Sequence, residues 1–126
     1  MTFVDTNVFM YAVGMSHPLK EPARTFFTHC FEHEVLLVTS VEVLQELLHA
    51  YLPVNRLATL EAAFTLVESC VHETWPVEPE DIQFAKKLIP RYAHLGARDL
   101  LHVACCKRRD VTRVKTFDQK LAAVFP

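Results

Sequence analysis

Short, wholly apolar runs alternate along this chain with longer segments whose apolar residues recur every three or four positions, and few folds accommodate that alternation. The clearest run is Val35 to Thr39, VLLVT. An uninterrupted apolar stretch of strand length suits a parallel strand covered on both faces. Strands of that kind separated by helices imply a parallel sheet with helices on both sides.

Taken in order, Thr2 to Val4 predicts the first strand and Val8 to Val13 a short helix that Gly14 ends. Leu19 to His33 reads as a helix with Phe26, Phe27 and Cys30 inward, and Val35 to Thr39 is the second strand. Thr39 or Ser40 then caps a helix carrying Leu44, Leu47, Leu48 and Tyr51 at helical spacing, which Pro53 stops. Asn55 is expected to cap the next, Arg56 to about Val71. Thr74 to Val77 is a third strand, and Pro76 confines it to the rim of the sheet. The acids and proline of Glu78-Pro79-Glu80-Asp81 open a helix through Phe84, Ala85, Leu88 and Ile89, and the chain turns around Gly96. Ala97 to Arg108 is apolar over most of its circumference and should lie deep. Val111 to Thr116 is the fourth strand, and Asp118 starts a last helix over Gln119 to Val124.

The expected architecture is α/β, with residues 1–126 as a single domain; 51% hydrophobic content is enough to fill its core. No basic segment followed by an apolar run opens the chain, and no apolar stretch has the length of a membrane span, so a soluble, cytoplasmic protein is expected. Cys30, Cys70, Cys105 and Cys106 lack C-x-x-C spacing and read as reduced thiols filling the core.

The net charge of −2 conceals an imbalance. Residues 1–81 carry 3 basic and 12 acidic side chains, −9, and residues 82–126 carry 10 basic and 3 acidic, +7. A basic segment of this kind can attract phosphates locally.

Four acids stand out against this frame: Asp5, Glu46, Asp99 and Asp118. Asp5 and Asp118 each follow a strand directly, at the carboxyl edge where open α/β sheets hold ligands. Glu46 lies in the second turn of the helix after strand two, which begins at that edge. Asp99 is harder to place. Its helix precedes a strand, so its start should be at the opposite edge unless the loop before it climbs back across the sheet. Singly, each acid reads as a helix cap, a dipole complement or a solvent-facing charge. Four carboxylates in one place would repel unless a divalent cation lay between them, and oxygen ligands alone favour Mg²⁺ or Mn²⁺ over zinc.

The segments carrying these acids are Phe3-Val-Asp-Thr-Asn7, Thr39-Ser-Val-Glu-Val-Leu-Gln-Glu46, Ala97-Arg-Asp-Leu-Leu-His-Val-Ala104 and Thr116-Phe-Asp118. They resemble, in family order, the four acidic motifs of PIN-domain nucleases, above all the VapC-like toxins of toxin–antitoxin pairs. The resemblance implies a three-layer α/β/α sandwich with sheet order 3-2-1-4, and a helix that brings Asp99 to the common site. The family usually adds a fifth strand, expected here to be absent or reduced.

It also implies metal-dependent endonucleolytic cleavage of single-stranded RNA. Asp5, Asp99 and Asp118 would hold one or two Mg²⁺ or Mn²⁺ ions, with Glu46 binding metal or orienting a water, and Asn7 and Thr116 would orient the ligands. Arg98, Lys107, Arg108, Arg109, Arg113 and Lys115 are the candidates for RNA phosphates. Implied partners are an RNA substrate, a cognate antitoxin and a second copy in a homodimer, and Phe9, Met10, Tyr11 and Phe26 could serve a dimer face, although core burial explains them equally well. Tyr11, Tyr51 and Trp75 could stack on bases, although core packing explains them better.

Other classes compete. A non-catalytic PIN-fold module that binds RNA or protein would need none of the acids. His29, Glu32 and His33 fit H-x-x-E-H, a zinc-peptidase motif, but no third ligand can be named. His102, one turn after Asp99, reads as a core or orienting residue rather than a ligand. With two glycines there is no Gly-rich phosphate loop, and the paired acids of receiver domains are missing.

Overall fold

The computed structural model describes residues 1–126. Its strands are β1 (Thr2–Val4), β2 (Leu37–Ser40), β3 (Glu73–Trp75) and β4 (Arg113–Lys115). The helices are α1 (Thr6–Val13), α2 (Lys20–Glu32), α3 (Val41–Tyr51), α4 (Leu57–Cys70), α5 (Pro79–Leu88), α6 (Ala97–Arg108) and α7 (Gln119–Ala122). All strand pairs are parallel, in the expected order β3-β2-β1-β4. β3 takes the rim that Pro76 requires, just beyond the strand.

Every residue of β2 is buried, as a strand covered on both faces demands. Phe3 faces α6, stacking on Trp75 and meeting the His102 ring at 5.4 Å between centroids. Below the sheet, α1 packs on α2, α3 and α4; above it, α5 pairs with α6. Two apolar clusters result. The larger joins the sheet to α1–α4 and to Leu101, Cys105 and Cys106 of α6. The smaller fills the space between α5, α6 and Leu121 of α7. Leu100 to Cys106 are all buried because α6 borders both clusters.

The thiols are free, and burial pushes Cys105 up to about 12, as inert core residues require.

Helix ends depart from the sequence expectation in an instructive way. β2 begins at Leu37 rather than Val35, because Glu34 at φ 53 and the Val35 N–H, donating to the Cys30 carbonyl, are still closing α2. Asn55 does not cap α4; at φ 54 it closes α3, with the Arg56 N–H donating to the Tyr51 carbonyl. Asp110, φ 56, does the same for α6 through Val111 and Cys106. Three helices thus end in the left-handed turn usually given to glycine. Gly14 serves another need, since a Cβ there would lie 2.8 Å from the Met10 carbonyl oxygen.

α5 and α6 run antiparallel, and an ion-pair knot joins the first turn of α5 to the last turn of α6. Asp81 is fully buried; its Oδ2 accepts from the Glu78 N–H at 2.8 Å, and its Oδ1 accepts from Arg108 at 2.6 Å and Arg109 at 2.8 Å. Arg109 also donates to the Pro76 carbonyl and covers the Trp75 ring at 4.9 Å. Burial raises the Asp81 carboxyl, but Arg109, the Glu78 N–H and Arg108 outweigh it and hold it at about 2.

Candidate active site

The sheet order sets β1 directly beside β4, so the residues following both strands meet. Val4 pairs with Lys115, and the Asp5 N–H donates to the Lys115 carbonyl at 3.0 Å. Asp5 then caps α1: its Oδ1 accepts from the Thr6 N–H at 2.7 Å, and its Oδ2 accepts from the Thr116 hydroxyl at 2.7 Å. The Thr116 oxygen accepts in turn from the Asp118 N–H at 3.0 Å and the Asn7 amide at 3.3 Å. Asn7 Oδ1 accepts from the Phe117 N–H. Asn7 and Thr116 therefore weld the start of α1 to the end of β4, and Asp118 caps α7 by accepting from the Lys120 N–H at 2.8 Å.

Glu46 reaches this point from α3, where its Oε2 accepts from the Thr6 hydroxyl at 2.8 Å. Its Oε1 lies 2.7 Å from His102 Nε2, which is also 3.6 Å from Asp5 Oδ1. The imidazole N–H lies off the line to Oε1, so this contact is an ion pair more than a linear hydrogen bond.

Asp99 arrives because a helix, α5, rather than a loop does the climbing back. Its first turn is ion-paired to the end of α6 and its far end lines one cavity with Ala97 and Arg98, so α6 starts at the carboxyl edge and descends from it. All four acids, with Asn7 and Arg98, line one cleft of about 520 Å³.

The electrostatics follow from the crowding. Burial raises the Asp5 carboxyl, and Glu46 adds to the rise against His102, Thr116 and the Thr6 N–H. Asp99 is raised by burial, then by Asp5 and Asp118, with only His102 among its main influences opposing. Glu46 goes the other way: burial raises it, but His102, Thr6 and Arg98 bring it below the usual range. For His102, burial lowers the ring and Glu46, Asp5 and Asp99 together raise it above an ordinary imidazole.

A divalent cation fits this cleft on the chemistry of its donors. Asp5, Asp99 and Asp118 line it with hard oxygens, and a positive charge there relieves the repulsion that, after burial, raises Asp99. The set already gathered with one ligand atom each within 4.8 Å of one another is Asp5, Glu46 and His102, so Asp99 and Asp118 would have to draw closer to share an ion with Asp5.

Several expected residues lie elsewhere. Of the six basic candidates, only Arg98 lines the cleft. Arg108 and Arg109 are spent on Asp81 and Glu78, and Lys107 sits with them on the last turn of α6, about 12 Å along the axis from Asp99. Lys115 rests over the Phe26 and Phe117 rings, and Arg113 is exposed on β4. Trp75 and Tyr51 are core residues, so neither presents a stacking face to a base. Phe9 is fully buried and offers nothing to a dimer face, whereas Met10, Tyr11 and Phe26 are half-buried against the core. His29 and His33 stack at 4.1 Å on the exposed side of α2, and Glu32 does not complete a three-donor set with them. Thr6 and His49, which also line the cleft, carried no signal in the sequence beyond their neighbours.

An acidic cleft at the carboxyl edge of a 3-2-1-4 parallel sheet defines a class, and the chain belongs to the PIN domain family, whose model matches residues 2–124. Among individual proteins, it is 60% identical over 125 residues to Ribonuclease VapC23 of Mycobacterium tuberculosis, covering 99% of this chain and 98% of that one. Two solved structures share the fold. VapC20 of Mycobacterium tuberculosis, a toxin that cleaves the sarcin–ricin loop, superposes with a TM-score of 0.76 at 16% identity over 98% of this chain and 95% of its own. VapBC2 of Rickettsia felis, bound to a DNA fragment from its promoter, gives 0.71 at 15% identity over 99% and 92%. No helix is long and apolar enough to cross a membrane.

Proposed function

We propose that this chain is a metal-dependent endoribonuclease acting on single-stranded RNA, the toxin of a toxin–antitoxin pair. The observation that carries the reading is the convergence of Asp5, Glu46, Asp99 and Asp118 on one cleft from four separate elements. Identity of 60% to a VapC ribonuclease over nearly the whole chain supports it.

In this reading Asp5, Asp99 and Asp118 hold Mg²⁺ or Mn²⁺. A cation there lowers the pKa of a water and supplies positive charge against the phosphodiester. The chain's own work is positioning. Thr6 and Thr116 each fix one Asp5 oxygen, leaving further lone pairs toward the cleft, and Asn7 locks the backbone after β4. Arg98 meets the RNA phosphate at the rim, opposite the carboxylates. A cognate antitoxin that covers the acidic cleft and a homodimeric assembly complete the proposal, the former in keeping with the VapBC2 neighbour.

The test is hydrolysis of bulk cellular RNA by purified protein. Cleavage should vanish with EDTA and return with excess Mn²⁺; cleavage that survives the chelator rejects the reading. Arg98→Ala should weaken binding of the protein to a mixed-sequence RNA oligonucleotide by about fivefold, whereas Lys107→Ala leaves it within about twofold. Filter binding at fixed salt measures both, and equal losses would relocate the RNA path.

A further inference from the structure

Glu46 differs from Asp5 in what faces its carboxylate. Asp5 is held by the Thr6 N–H and the Thr116 hydroxyl, whereas Glu46 accepts from the Thr6 hydroxyl through Oε2 and sets Oε1 2.7 Å from His102 Nε2, in ion-pair range without a linear hydrogen bond. Asp99 is the opposite case, an acid raised by burial and then by Asp5 and Asp118, lining the same cleft.

His102 is 1% exposed, beneath the cleft and three residues after Asp99, so α6 presents the aspartate to the cleft and the imidazole below it on one face. Its ring lies against Phe3, and its Nδ1 has no partner in the protein. Every close polar contact it makes is therefore to the site: Glu46 at 2.7 Å and Asp5 at 3.6 Å. An apolar side chain would fill that space without leaving a buried nitrogen unpaired, so packing alone does not account for a histidine. Thr6 closes the circuit. Its hydroxyl donates to Glu46 and its backbone N–H to Asp5, which ties both acids to the first residue of α1.

We propose that His102 is a positioning residue that holds Glu46 off the cation and, through Thr6, keeps Asp5 in ligating pose, so that Asp5, Asp99 and Asp118 bind the metal and Glu46 braces them. The inference rests on the metal reading of the cleft given above. It deepens that reading by dividing the four acids into three ligands and one brace. It also sets aside the Asp5, Glu46 and His102 donor set as a metal site.

Isothermal titration with Mn²⁺ tests it without an RNA substrate. Glu46→Gln should leave the Mn²⁺ dissociation constant within about threefold of wild type, whereas Asp99→Asn weakens it by about tenfold or more. In His102→Leu the freed Glu46 becomes a competing ligand, so affinity should shift by about fivefold or more and become sensitive to Glu46→Gln in the double variant. His102→Gln places an amide donor near the Nε2 position and should restore wild-type affinity within about threefold.

A purely structural histidine would lower melting temperature without coupling positions 46 and 102 in metal affinity. Glu46→Gln weakening Mn²⁺ as much as Asp99→Asn does would overturn the proposal alone, as would His102→Gln behaving like His102→Leu. The Glu46→Gln arm decides even if His102→Leu does not fold. Wild-type protein that binds Mn²⁺ without dependence on Asp99 would overturn the metal reading itself and the proposal with it.

Discussion

Asp5→Asn is expected to lower the proposed metal-dependent RNA cleavage by about a hundredfold or more while leaving the metal-free fold intact. The amide keeps an oxygen for the Thr6 N–H and a polar atom facing Thr116, so the weld between α1 and β4 survives. What disappears is a negative charge at the centre of the cleft. That charge is costly without a cation, because burial raises the folded-state pKa of Asp5 above its ordinary 3.8. The sign follows: the metal-free protein is favoured while Asp5 stays protonated and loses that stability as pH rises through the carboxylate range. The variant has no such loss, so at neutral pH it should melt at least as high as wild type. Cleavage assays with Mn²⁺ and thermal melts in EDTA measure the two halves. A variant that cuts RNA at the wild-type rate, or that is unfolded, contradicts the role given to Asp5.

Asp81→Ala has the reverse profile. It should cost about 3 kcal/mol, removing a helix-start bond and the acid that neutralises two arginines, whose partial exposure limits the penalty. The melting temperature should drop by about 10 °C, with Mn²⁺ affinity unchanged within about twofold. Here the folded-state pKa lies below the ordinary value, at about 2 against 3.8, so the stabilisation is complete above pH about 4 and fades as pH falls toward 2. Urea titrations of both proteins at neutral and acid pH should show the gap closing only at the acid end. A constant gap would mean that Asp81 acts through packing rather than charge.

These two acids mark what the sequence could and could not convey. The parallel α/β alternation and the buried course of α6 were readable because a hydrophobic run or an all-round apolar helix has few other uses, whereas the strand order came from the family resemblance alone. The acids were readable as a set, since their order along the chain matched a family pattern. Asp99 illustrates the boundary: helix-before-strand logic left its edge open, the resemblance brought it to the common site, and the antiparallel descent of α6 against α5 is how it arrives there. Arg108 and Arg109 looked the same as Arg98 in one dimension. Whether a guanidinium is free depends on a buried acid 27 or 28 residues earlier, which spacing does not reveal. Asn55 shows a milder failure, because asparagine suits both a helix start and a left-handed helix end, and local preference alone does not choose. His102 was read as a core or orienting residue, and its contact with Glu46, which joins residues 56 positions apart, lay outside what spacing reveals.

The central strand is the first one made, and one of its two neighbours is the last. β1 stays open along one side until residues 113–115 exist to close it, and the hydrogen bond from Thr116 to Asp5 spans a separation of 111 residues. A growing polypeptide on the ribosome therefore cannot assemble the cleft from its early portion alone, however well α1–α4 condense beforehand. The cleft is complete only once nearly the entire domain has emerged, so a partly synthesised copy holds its acids on elements that have not yet met.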